Sequence, residues 1–111
     1  MATLAERKAE WIERAKKMLE QEGGHIQWLA INGFSLIRDT VDAAPTGQKA
    51  DAFTACLADM ANQSGVGAAQ VKEYMKVGFL ADKIPSLFQR CKVRAAIQLA
   101  RIVDVADIGM E

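Results

Sequence analysis

Segment 25–41 constrains the fold of this chain most strongly. Its apolar residues are Ile26, Trp28, Leu29, Ile31, Phe34, Leu36, Ile37 and Val41. At helical spacing they fall on nearly every side of the helix they imply. A helix that is apolar all round has to be covered on most faces by its neighbours. Gly33 stands in its middle, at a cost of roughly 1 kcal/mol relative to alanine, and so predicts a close approach by another helix. The neighbours are predicted to be helical too, because no stretch alternates in the period-two manner of a half-buried strand.

A first helix is predicted over 3–21, with Thr3 and Glu6 at capping-box spacing and Gly23-Gly24 to end it. Leu4, Trp11, Ile12, Ala15, Met18 and Leu19 form its apolar stripe, which faces a core or a seam between two subunits. The Pro and Gly of 43–47 mark the clearest loop. That loop divides an N-terminal hairpin (1–45), expected to support dimerisation, from a second helical region (46–111). Four shorter helices follow, over 49–63, 68–77, 85–91 and 92–105. Pro85 suits a first helical turn, and Gly65, Gly67 and Gly78 read as punctuation. The expected fold is all-α, one compact domain of five or six helices.

With 50% hydrophobic and 25% charged residues, the composition excludes disordered and low-complexity chains. No apolar run approaches the roughly 18 to 20 residues that cross a bilayer. The first ten residues mix both charges and lack the apolar stretch of a secretory signal. Cys56 and Cys91 make neither a disulfide framework nor a metal-ligand spacing. A reduced, cytoplasmic protein without membrane contact is expected.

The 14 bases and 14 acids cancel, but they are unevenly placed. Residues 1–63 balance to −2 and the tail from 102 to −3. Between them, Lys72, Lys76, Lys83, Arg90, Lys92, Arg94 and Arg101 face only Glu73 and Asp82, a balance of +5. A locally basic segment can attract phosphates in a molecule that is neutral as a whole.

The start of that segment carries the one informative motif. In 57–78 a helix is predicted to end near Gln63, to turn through 64–67, and to resume at Gly67 or Ala68. Such a crossing needs a small residue at the contact, here Ala61. Four residues later it needs a glycine at positive φ, here Gly65. Met60, Val66, Val71 and Tyr74 are placed to pin both helices to the core. These six positions resemble the helix-turn-helix of the lactose-repressor and phage-repressor superfamily, over about 20 of the 111 residues.

The resemblance implies a dimeric, double-stranded-DNA-binding protein whose second helix, about 67–77, enters the major groove. It implies that Ala68, Ala69, Lys72 and Glu73 reach bases, with Gln70 near the backbone. The family usually has Ser or Thr where this chain has Gly67, and Ala68-Ala69 can meet thymine methyls but make no bidentate bonds. The expected nucleic-acid contacts are Gln70, Lys72 and Lys76 at the groove, with Arg90, Lys92 and Arg94 on phosphates.

Other candidates for chemistry are weaker. His25 is the one histidine and has no companion ligands or nucleophile motif. Both cysteines sit among apolar neighbours and read as small buried groups. The glycines at 65–67 lack the length and lysine of a phosphate loop. Trp11 and Trp28 read as core or interface anchors. No enzyme, metal or cofactor is expected. The function expected is that of a small DNA-binding protein, either a transcriptional repressor or a plasmid or phage accessory factor. The alternatives are a helical adaptor or inhibitor that binds protein alone, and a small subunit of a nucleoprotein assembly.

Overall fold

The structure is a computed structural model that describes residues 2–20, 26–90 and 92–102. Those residues form six helices: α1 (Leu4–Glu20), α2 (Ile26–Ala43), α3 (Lys49–Ser64), α4 (Ala68–Lys83), α5 (Leu87–Arg90) and α6 (Val93–Ala100). No strand occurs among the described residues. His25, Cys91, Gly23-Gly24 and the stretch from 103 lie outside them.

α2 lies between α4, its most extensive partner, and the pair α1 and α3. Its Leu29, Ala30, Gly33, Phe34, Leu36, Ile37 and Val41 are all buried. Periodicity does the same for α3, where Phe53, Cys56, Leu57, Met60, Ala61 and Ser64 form one buried stripe. α6 closes over α4 through the buried Ala96 and Ala100.

α1 begins with the expected capping box. The Glu6 amide donates to Thr3 Oγ1 (3.1 Å) and the Thr3 amide to Glu6 Oε1 (3.3 Å). Of its apolar stripe, Trp11, Ile12 and Ala15 are buried in the common core and Leu4 packs against it. The Trp11 indole N–H donates to the Leu29 carbonyl at 2.9 Å, and its ring lies where a Cβ on Gly33 would stand. Gly33 thus admits a side chain from α1, as the close approach required. Arg7 reaches Asp39 (2.8 Å) and Ser35 (3.0 Å), and Lys8 reaches Asp59 (3.1 Å). Such half-exposed pairs contribute about 0 to 1 kcal/mol each, so they orient α1 more than they hold it.

Three element boundaries differ from expectation, each for a physical reason. α4 does not stop before Gly78 but continues to Lys83. Gly78 is buried at the crossing with α2, where a Cβ would fall on the Ala30 carbonyl oxygen and on Phe34 Cβ. It is a contact glycine, not a stop. Pro85 precedes α5 instead of opening it. The Leu87 amide donates back to the Ile84 carbonyl at 2.9 Å, which closes a turn with proline at its second position. α6 starts at Val93 and its described part ends in a turn at Arg101-Ile102, so only the first part of the expected 92–105 helix can be compared.

Candidate nucleic-acid interface

The link between α3 and α4 is built by four consecutive residues. Gly65 has φ +82° and donates its amide to the Ala61 carbonyl at 3.1 Å, which closes the end of α3. Buried Ser64 supports the same turn: its hydroxyl donates to the Met60 carbonyl and accepts the Val66 amide at 3.1 Å. Val66 is buried beneath the link and Gly67 is extended (φ −61°, ψ 149°), so α4 starts at Ala68. Met60, Ala61, Val66, Val71 and Tyr74 are all in the core, and Gly65 holds the positive φ expected of it. Gly65 and Val66 lie in the link itself, and the other four matched positions pack the helices on either side of it. Sequence reasoning placed Ser64 in the turn but missed its hydroxyl bonds, although a serine four residues beyond a helical carbonyl at a helix end is a known back-bonding position.

With Val71, Tyr74, Met75, Val77 and Gly78 turned inward, the opposite side of α4 meets solvent. Ala68, Ala69 and Lys72 are exposed and Lys76 is half-buried. Lys72 and Lys76 are one turn apart and share a face with Ala68. Neither lysine forms an ion pair among the described residues. Farther along, Lys83 Nζ lies 5.6 Å from the Phe79 ring centre.

The two acids of α4 are occupied differently. Glu73 accepts from Arg101 Nε at 3.2 Å, and Asp82 lies 3.9 Å from Arg38 Nη1. Glu73, expected to reach bases, is therefore tied to the end of α6. Gln70 is half-buried, about 160° around the helix from Lys72, and its amide is hydrogen-bonded to Tyr74. Burial pushes the Tyr74 phenol up, the Gln70 bond opposes this, and the Glu73 carboxylate adds a smaller push. Gln70 thus supports the buried side of α4 and does not join the lysine face. Arg90, Lys92 and Arg94 are exposed at the α5–α6 junction, and none of them forms an ion pair among the described residues.

Two concave regions lie elsewhere. One, about 280 Å³, is lined by Leu4, Lys8, Thr40, Cys56 and Asp59 among others. Burial pushes the Cys56 thiol up, against a hydrogen bond to Thr40 and the nearby Lys8, so the reactive thiolate is disfavoured there. The other, about 440 Å³, is a groove of mixed character, with Ile31, Phe34, Ala81, Pro85 and Phe88 as apolar walls and Ser35, Arg38 and Asp82 as polar ones. No group of three His, Cys, Asp or Glu side chains able to hold a metal occurs among the described residues. Among them, no helix is long and apolar enough to cross a membrane. No family model, curated protein or solved structure matches the chain.

Proposed function

We propose that this chain is a small helix-turn-helix DNA-binding protein, a transcriptional repressor or a plasmid or phage accessory factor of the cytoplasm. The observation that carries the reading is the solvent face of α4. Behind a positive-φ link, that face offers two small side chains, Ala68 and Ala69, followed by two lysines with no acidic partner among the described residues. Small residues let the helix approach base edges and meet thymine methyls, and lysines supply phosphate contacts. Lys72 is then the main direct reader. Arg90, Lys92 and Arg94 add phosphate contacts, so that affinity rests on the backbone more than on bases.

Titration of labelled duplexes at two salt concentrations tests this. About three to five engaged cations should give a log–log slope near −3 to −5, from roughly −0.9 per neutralised phosphate. Replacing Arg90, Lys92 and Arg94 together with glutamine should flatten the slope and weaken all sequences alike, whereas Lys72→Gln should shift preference between sequences. Absence of duplex binding at low salt contradicts the reading. A two-fold operator would engage two copies, and sedimentation at micromolar concentration measures whether the chain pairs. The adaptor reading is favoured by one observation, the groove of Ile31, Phe34, Ala81, Pro85 and Phe88, where Ile31 is 45% exposed.

A further inference from the structure

α4 carries Lys72, Lys76 and Lys83 against Glu73 and Asp82, a nearly balanced set for a helix that is to meet a polyanion. The balance does not survive folding. Each acid acquires a guanidinium from another element, Arg101 beyond α6 for Glu73 and Arg38 of α2 for Asp82. The pair nearer the start of α4 matters more. Glu73 stands one turn after Ala69 and beside Lys72, at the edge of the face that would approach phosphates. A free carboxylate there would repel each phosphate that Lys72 attracts.

We propose that Arg101 is a positioning residue for the α4 interface: it holds the Glu73 carboxylate against the end of α6, neutralised, and so leaves the lysine face uniformly basic. The contact joins residues 28 apart in the chain, through Arg101 Nε and Glu73 Oε1 at 3.2 Å. Glu73 is the less exposed partner, at 28% against 62% for Arg101, so the arginine comes to the carboxylate at the helix surface. The Arg101 backbone is anchored for this, its amide donating to the Ile97 carbonyl at 3.2 Å as α6 ends. This inference rests on the reading of α4 as a nucleic-acid interface and adds a residue outside the motif to it.

A double-mutant cycle in duplex titration tests it, using the full chain as wild type, Arg101→Gln, Glu73→Gln, the double variant and Arg101→Lys. Arg101→Gln should weaken binding roughly three- to eightfold. That range follows from one uncompensated charge about 7 Å from a phosphate at an effective dielectric of about 40 to 80. The double variant, with the same net charge as wild type, should return to within about twofold of wild-type affinity. Arg101→Lys should also remain near wild type, and thermal melts should barely move, because an exposed pair contributes little to stability. If Arg101→Gln costs as much with glutamine at 73 as with glutamate, Arg101 itself touches phosphate and the proposal is wrong. An unchanged affinity for Arg101→Gln overturns it as well. In both cases wild type still binds, which separates them from a wild type that binds no duplex, where the reading and this inference fall together.

Discussion

α4 meets the rest of the molecule along one side and solvent along the other, and the glycines within it and just before it follow the division. Gly78, on the inner side, sits so close to α2 that a Cβ would fall on the Ala30 carbonyl. Gly67, at the outer end, has nothing within 4 Å of where a Cβ would stand. Gly65 has a third role, set by backbone conformation instead of space. The inner side is packed so tightly that position along α2 is fixed. The outer face is thereby held still while remaining free of packing duties. A rigid helix with an uncommitted face is what a recognition surface requires.

Substitutions should expose the difference, and the largest effect belongs to the inner side. Gly78→Ala should cost about 2 to 3 kcal/mol in urea denaturation, because its methyl meets backbone that cannot step aside. A loss below about 0.5 kcal/mol would mean that α2 and α4 are not held at this distance. Gly65→Ala should cost about 1 to 2 kcal/mol, the penalty for a Cβ at positive φ. On the outer face, Lys72→Gln with Lys76→Gln should change stability by no more than about 0.5 kcal/mol while reducing the duplex salt slope by about 2. The smallest effect should be a gain: Gly67→Ser introduces a capping hydroxyl into open space and should add a few tenths of a kcal/mol. A marked loss there would show that the space is needed.

These positions also show how far the sequence could be read. Thr3 and Glu6 announce the start of α1, because a capping box is complete within four residues. The α3–α4 link was legible for a similar reason: Ala61, Gly65 and Val66 are local, and a positive φ has few solutions other than glycine. Gly78 was misread because the same residue type serves a stop and a contact. The difference lies in Ala30 and Phe34, far away in sequence. Apolar periodicity identified the buried stripe of α1 but not its partner. The seat of Trp11 is Gly33 and the Leu29 carbonyl, both on α2 and far from it in sequence.

The candidate interface was legible to a lesser degree. Lys72 and Lys76 share an outer face simply because they are four residues apart on a helix. Gln70 and Glu73 lie on the same helix but are drawn elsewhere, by Tyr74 and Arg101. Summed charge counted Arg101 among the basic residues of 64–101 without revealing that its role is to occupy an acid. Pairing across elements is a property of the fold, and only the fold exposes it.

The central claim is that the solvent face of α4 is the surface that meets nucleic acid. Amide chemical-shift mapping by NMR, with the full chain titrated by a short duplex at low salt, tests it most directly. The account predicts that the largest perturbations cluster at Ala68, Ala69, Lys72 and Lys76, with a second, weaker set at Arg90, Lys92 and Arg94, and that added salt reverses both. Perturbations centred on the groove of Ile31, Ala81 and Phe88, or none at all at saturating duplex, would contradict it.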